Sequence, residues 1–298
     1  MINPDDFDFI AKLVYDRSGL VLTPDKSYLL ESRLVPVARR HGLNGLDELA
    51  RGLRTRSAQL ISDTVEAMTT NESLFFRDVK PFEQFRKVVL PRLLETRGAK
   101  RSLRIWSAAC SSGQEAYSLA MLLTEEGSRL DGWNIEIVGT DLSAQMVERA
   151  RAGSYSQFEV QRGLPVQMLV KYFKQEGERW QIDARLRAMV KYREYNLLSD
   201  LSSLGTFDVI FCRNVLIYFD QATKARVLDQ VARRLPPDGV LFLGGAETVL
   251  GVTDRFEPVP GERGIYRLTP TVAPIPAMMP LASIATPASP MTAMAGRR

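Results

Sequence analysis

Five short runs of the chain carry residue types that could do chemistry. In the stretch 105–118, running from Ile105 through Cys110, Gly113 and Glu115 to Ser118, a strand breaks into a tight turn of small residues and opens into a helix. Ala116, Leu119, Ala120, Leu122 and Leu123 mark the helix's buried face. Such a turn lets a ligand approach backbone N–H groups at a helix N-terminus. The Gly-Lys-Ser/Thr of a P-loop is absent, and of a three-glycine dinucleotide fingerprint only Gly113 remains. What the run suits is a nucleoside without phosphates, with S-adenosylmethionine the common candidate; tight packing of small residues is the alternative.

The second run ends in Gly139, Thr140 and Asp141, an acid at a strand end placed to accept both ribose hydroxyls, or else a turn residue before Ser143. In the third, 194–197, Asn196 could bond an adenine edge. The fourth, 207–219, is an apolar strand that delivers Arg213 and Asn214 at its tip and Tyr218 one turn later. Polar side chains buried there need partners, and a ligand would supply them. An amino methyltransferase of nucleic acids would carry Asn/Asp-Pro-Pro-aromatic at that tip. Residues Cys212–Val215 do not, which argues against a DNA or RNA substrate. The fifth run, Asn71 to Arg77, mixes Asn71, Ser73 and Arg77 with Leu74, Phe75 and Phe76, and its plain reading is a hinge packed on two phenylalanines.

The elements that must position these residues fall into two kinds. Up to about residue 80 the pattern is helical. One helix over Phe7–Val14 ends at Gly19, and a second follows Pro24 with Tyr28, Leu29, Leu34, Val35 and Ala38 as its apolar side. Pro36 should kink or break that second helix, which Gly42 closes behind Arg39 and Arg40. Leu46–Leu53 and Gln59–Met68 complete a small bundle. From Arg101 onward strands alternate with helices: strands over 103–108, 135–141, 192–195, 209–212 and 240–244, helices over 143–152 and 221–235. That alternation predicts an α/β fold with a doubly wound, mostly parallel sheet, in which ligands sit at the carboxyl ends of the strands. Segments 256–259 and 264–268 read as a closing antiparallel hairpin. Residues 153–190 do not fit the alternation and read as an insertion, with a turn and strand over 176–182. The expected units are therefore 1–82, helical; 83–269, the sheet domain; and 270–298, a Pro- and Ala-rich tail expected to be disordered.

Composition narrows the chemistry. The 298 residues allow about two domains, and 45% apolar content fills ordinary cores. No apolar run resembles a signal peptide or a membrane span, so no membrane insertion and a cytoplasmic setting are expected. Cys110 and Cys212 make no disulfide framework and read as small packing residues. His41 is the only histidine, which makes a zinc site or a histidine-based triad improbable. The net charge of +4 is uneven, with basic stretches over Arg33–Arg56 and Arg86–Arg104. These stretches suggest an acidic partner, or simply solvated helix faces.

Taken together, the motifs in 71–77, 106–118, 139–143, 195–198 and 212–220 resemble the CheR family of chemotaxis receptor methyltransferases, in motif order over roughly residues 5 to 268. The resemblance implies a class I methyltransferase (Rossmann-like) sheet with a small all-helical N-terminal domain and an inserted β-subdomain. It implies S-adenosyl-L-methionine as cofactor, held by Asn71, Ser73, Arg77, Glu115, Asp141, the Asn196–Leu197 pair and the Arg213–Asn214 pair, with Tyr218 next to the methyl group. Ser73 replaces a usual Thr, Gln114 a common Glu, Ala116 a common Pro and Ala109 a frequent Gly. A further family arginine falls somewhere between Arg86 and Arg104 and is not placed.

The implied reaction is attack of a receptor glutamate carboxylate on the sulfonium methyl. Because a carboxylate is already ionised at neutral pH, no base is needed. Leu74, Phe75, Phe76 and Phe219 would supply a dry wall, and Tyr218 would orient the reacting groups. The implied partner is the cytoplasmic helical region of methyl-accepting chemotaxis receptors, met by the arginines of the helical domain, Arg51 and Arg54 among them, with the enzyme a monomer peripheral to receptor arrays and no nucleic acid bound. The turn over Lys174–Arg179 is short for gripping a receptor tether peptide, so tether-independent action is expected. Alternatives are a methyltransferase of another acidic protein or small carboxylate, and a non-catalytic scaffold that binds S-adenosylmethionine.

Overall fold

The computed structural model describes residues 2–55 and 57–270; Arg56 and the tail beyond Pro270 lie outside the described residues. Four helices form the first unit: α1 Pro4–Ser18, α2 Ser27–Arg40, α3 Leu46–Arg54 and α4 Ala58–Met68. The Asn3 side chain caps α1 by accepting the Asp6 N–H, and Gly19 ends it in the left-handed conformation at φ 75°. Ile10, Val14, Leu30, Leu34, Leu49 and Leu53 fill the bundle's core. Two expectations are corrected here. Pro36 does not end α2, because both it and Ser32, four residues earlier, are exposed, so the carbonyl that loses its partner is open to water. Tyr28 is 63% exposed and Leu30 is buried instead.

A connection over 69–79 leads to α5 Lys80–Gln84, a π-helical turn Phe85–Val89 and α6 Leu90–Thr96. The sequence boundary at residue 82 thus falls within α5. The strands are β1 Ser102–Ala108, β2 Asn134–Asp141, β3 Ser154–Ser156, β4 Phe173–Glu176, β5 Arg179–Ile182, β6 Val190–Glu194, β7 Val209–Cys212, β8 Val240–Leu243, β9 Phe256–Pro258 and β10 Ile265–Leu268. Helices α7 Gln114–Glu125, α8 Ala144–Ala152, α9 Gln157–Gln161, α10 Val166–Tyr172, α11 Ala184–Met189 and α12 Gln221–Ala232 complete the chain. The main sheet runs β6-β2-β1-β7-β8-β10-β9, parallel except at β10 and β9. The insertion forms its own antiparallel sheet, β3-β5-β4, with α9, α10 and α11 alongside.

Register brings the motifs together. Ala108 is paired with both Thr140 and Cys212, Asp141 with Glu194, and Cys212 with Leu243. The runs that end β1, β2, β6 and β7 therefore share one rim. Both faces of the central strands are covered, which is why they read as continuous apolar runs. Much of the second basic stretch is spent holding the opposite end of the sheet. Arg97 spans Asp208 at 2.8 Å and Asp238 at 2.6 Å, and Arg104 meets Glu136 at 2.6 Å. Among the described residues no helix is long and apolar enough to cross a membrane.

Candidate functional site

The turn after β1 is built from left-handed residues: Ala109 at φ 54°, Ser111 at 50° and Gly113 at 93°. This winding turns the Ser111 N–H toward β2, where it donates to Asp141 Oδ2 at 2.8 Å. The Ser143 N–H donates to the other oxygen at 2.9 Å. Burial pushes the Asp141 carboxyl above its ordinary range; the Ser143 and Ser111 N–H groups pull it back, and nearby Glu66 adds to the push. Gly113 and Gly139 are small for packing. A Cβ on either would come within 2.6 Å of the Tyr192 ring or hydroxyl. The small-residue turn is therefore tight packing on its Gly113 side and site-facing at Ala109 and Ser111.

A cavity with an empty volume of about 690 Å³, open mouth included, lies over the strand ends. The sheet contributes Ala109, Ser111, Asp141, Leu142, Tyr195, Asn196, Leu197, Val215, Tyr218 and Phe219. The helical unit and its connection close the other side with Ser18, Leu20, Thr69, Thr70, Asn71 and Glu72. They are held there by several bonds: the Ser111 hydroxyl donates to the Asn71 carbonyl at 2.9 Å, Tyr15 Oη to Asp220 at 2.7 Å, and the Val21 N–H to the Tyr218 carbonyl at 3.0 Å.

Of the residues singled out from sequence, Asn71, Asp141, Asn196, Leu197 and Tyr218 line this cavity together. The Asn196 amide is largely engaged, its Nδ2 donating to the Arg17 carbonyl at 2.6 Å and its Oδ1 accepting the Leu198 N–H at 2.9 Å. One amide hydrogen remains for a ligand. Glu115 and Arg213 sit off the lining as a buried pair at 2.9 Å. Glu115 also accepts the Ser107 hydroxyl, and Arg213 also reaches Asp78 at 2.6 Å. Ser73, Arg77 and Asn214 do not line the cavity, and Arg77 donates to the Glu72 carbonyl at 3.1 Å.

The expected dry wall is corrected. Phe75 and Phe76 are core residues, Phe75 lying edge-on to Tyr155 and Phe173 at 5.0 and 5.5 Å. Leu74 is absent from the lining too, and of the expected wall only Phe219 remains, joined by Leu20, Leu142, Leu197 and Val215. Both cysteine thiols are fully buried and pushed upward by that burial. Sequence reasoning missed Ser18, Leu20, Thr69 and Thr70, whose place depends on how the helical unit docks. The one trace in the sequence is Gly19, where a Cβ would meet Thr223, Leu198 and Phe219 at 3.1–3.2 Å.

A cofactor has groups to meet here. The Asp141 carboxylate suits a ribose diol, and Arg213 Nε, off the lining, is a buried donor without a partner. Residues 71–265 match the family described as CheR methyltransferase, SAM binding domain, and residues 5–69 match CheR methyltransferase, all-alpha domain. The chain is 42% identical to chemotaxis protein methyltransferase 1 of Pseudomonas aeruginosa over 88% of its own length and 97% of the relative's. It is 40% identical to the chemotaxis protein methyltransferase of Vibrio anguillarum, over 90% and 98% of the two chains. A chemotaxis protein methyltransferase of Pseudomonas putida is 39% identical, over 87% and 96%. The sheet is thus of the class I methyltransferase type, and its cofactor is S-adenosylmethionine.

Proposed function

The chain belongs to the CheR family of methyltransferases, and from that premise we propose that it methylates glutamate side chains of methyl-accepting chemotaxis receptors, giving methyl esters in sensory adaptation. The observation that carries this reading is the cavity itself, roofed by the helical unit, with Asp141 at its floor and Tyr218 in its wall, and with no histidine in its lining. When bound, S-adenosylmethionine supplies an activated methyl group. The chain's own residues then have three tasks.

Asp141 takes the ribose hydroxyls, and Asn196 and Leu197 take the base. Asn71, Ser73, Arg77, Glu115, Arg213 and Asn214 complete the holding set, those away from the lining acting through the loops they brace. The apolar wall keeps water out, which favours a reaction between opposite charges that ends in neutral groups. Tyr218 orients the incoming carboxylate without moving a proton, since the carboxylate is ionised at pH 7. Positioning of this kind lowers a barrier by about 7–11 kcal/mol.

We assign the helical unit, residues 1–82, to substrate docking and residues 83–269 to transfer. Arg39 and Arg40 are exposed at the end of α2 and form no ion pair among the described residues, so they suit an acidic receptor surface. Arg54 does not, because it is bound to Asp6 at 2.5 Å and lies over the Phe9 ring. The β4–β5 turn holds only Gly177 and Glu178, which supports action without a tether grip. The setting that fits is cytoplasmic, beside receptor arrays. The test is transfer of radiolabelled methyl from S-adenosylmethionine to chemoreceptor-containing membranes, followed by mild alkali. Base-labile label on a receptor band, absent with Asp141→Ala, is expected; cofactor binding with no labelled receptor would move the substrate elsewhere.

A further inference from the structure

Glu247 follows β8 in a turn, only 9% exposed, and its carboxylate collects four backbone N–H groups. Oε2 accepts from Gly244 at 2.7 Å and from Asn214 at 2.8 Å. Oε1 accepts from Val215 at 2.9 Å and from Ile217 at 3.3 Å. Three of these donors belong to the segment after β7, which carries Tyr218 and Val215 into the cavity lining. That segment has little structure of its own: Asn214 is left-handed at φ 60°, and a single 3₁₀ turn spans Leu216–Tyr218.

Without an acceptor, these N–H groups would be left unpaired beside the core. An ionised carboxylate is acceptor-only with about four lone-pair sites, so its capacity matches the donors present. Charge-assisted bonds of this kind are the strong ones. Among the described residues Glu247 forms no ion pair, and converging backbone dipoles offset its charge. The two strand ends are also in direct contact: a Cβ on Gly244 would lie 2.7 Å from Glu247 Oε2 and 3.0 Å from the Asn214 nitrogen. Glu247 is absent from the cavity lining and borders a separate groove with Lys80 and Arg263.

We infer that Glu247 is a positioning residue for methyl transfer, its carboxylate holding the Asn214–Tyr218 segment so that Tyr218 is presented to the cavity. This rests on the function proposed above for its kinetic arm and on geometry alone for its structural arm.

Glu247→Gln keeps the shape but places an amide NH₂ where two N–H groups need an acceptor. Hydrogen exchange of the peptide covering 213–219 should quicken by about tenfold or more, with β1 and α12 unchanged. Methyl transfer to receptor membranes should fall by about ten- to 100-fold, a larger factor than the accompanying loss of S-adenosylmethionine affinity through Asn214, measured by calorimetry. Glu247→Asp, which keeps the charge, should recover part of both. Combined with Tyr218→Phe, the losses in turnover should be strongly sub-additive, because both changes disable one device; a merely structural role would give additive losses. If Glu247→Gln does not fold, Glu247→Asp carries the same cycle. Unchanged exchange in 213–219, or additive losses, overturns the inference. A wild-type enzyme that labels no receptor sinks the receptor reading instead, and the exchange result still decides the role of Glu247.

Discussion

Glu66 Oε1, in the last turn of α4, accepts the backbone N–H of Gln145 at 2.9 Å and so caps α8 across the junction between the helical unit and the sheet. The same oxygen takes the Ser143 hydroxyl, which in turn accepts the Met146 N–H at 3.1 Å. Ser143 also gives its backbone N–H to Asp141. One short chain of bonds thus links the helical unit's docking to the acid on the cavity floor. A carboxylate at a helix N-terminus is favourable, and here the helix and the carboxylate come from different units.

Glu66→Ala removes that cap. Stability should fall by about 1–2 kcal/mol, read as a lower Tm. Affinity for S-adenosylmethionine should also weaken, because Thr69–Glu72, directly after α4, form one wall of the cavity. Unchanged affinity by calorimetry would mean that other contacts suffice to seat the helical unit.

Cofactor affinity should depend on pH through Asp141. Its carboxyl is raised by burial, so it protonates above the ordinary aspartate value of about 3.9. Accepting two ribose hydroxyls needs the ionised form. Affinity is therefore full above the folded value and is lost as pH falls through it. Asp141→Asn should weaken binding and flatten this profile. For stability without ligand the sign reverses: the folded state holds the proton more tightly, so stability declines as pH rises from the unfolded value through the folded one.

Charge reversal should separate docking from folding. Arg39→Glu with Arg40→Glu should raise KM for receptor membranes several-fold with little change in kcat, and wild-type activity should fall with added salt. Arg54→Glu should instead lower Tm, because it breaks the contact with Asp6 and Phe9. A flat salt profile would count against electrostatic docking.

At the far end of the sheet, the bond from Arg97 holds the Asp238 carboxyl below its usual range. A lowered carboxyl contributes stability that is present above the unfolded value and lost as pH falls through the folded one. Arg97→Met should cost about 1–3 kcal/mol at neutral pH: solvent screens the pair with Asp238, 41% exposed, but Asp208, 15% exposed, also loses its partner. Urea midpoints should show the gap between variant and wild type narrowing toward about pH 3.

The sequence alone determined the elements and their order. Apolar runs marked the five parallel strands within a residue or two, because the central ones are buried on both faces and the edge strand β6 still buries Val190 and Tyr192, and Gly19 and Gly42 marked helix ends, because a left-handed cap favours glycine. Asp141 was legible as a cavity residue for a local reason: an acid closing an apolar strand stands at the rim over which the cavity lies. The motifs also carried the family resemblance. Only the tertiary structure decided which of those residues face the cavity. Glu115 and Arg213 neutralise each other at 2.9 Å off the lining, while Phe75 turns into the core against the inserted subdomain and Phe76 packs on Phe82 of α5. Ser18, Leu20 and Thr69 enter the site, and Glu66 and Glu247 become braces, through contacts between segments 77 and 33 residues apart. Such pairings depend on how separate units dock and how loops return, and no local pattern of residue types encodes them.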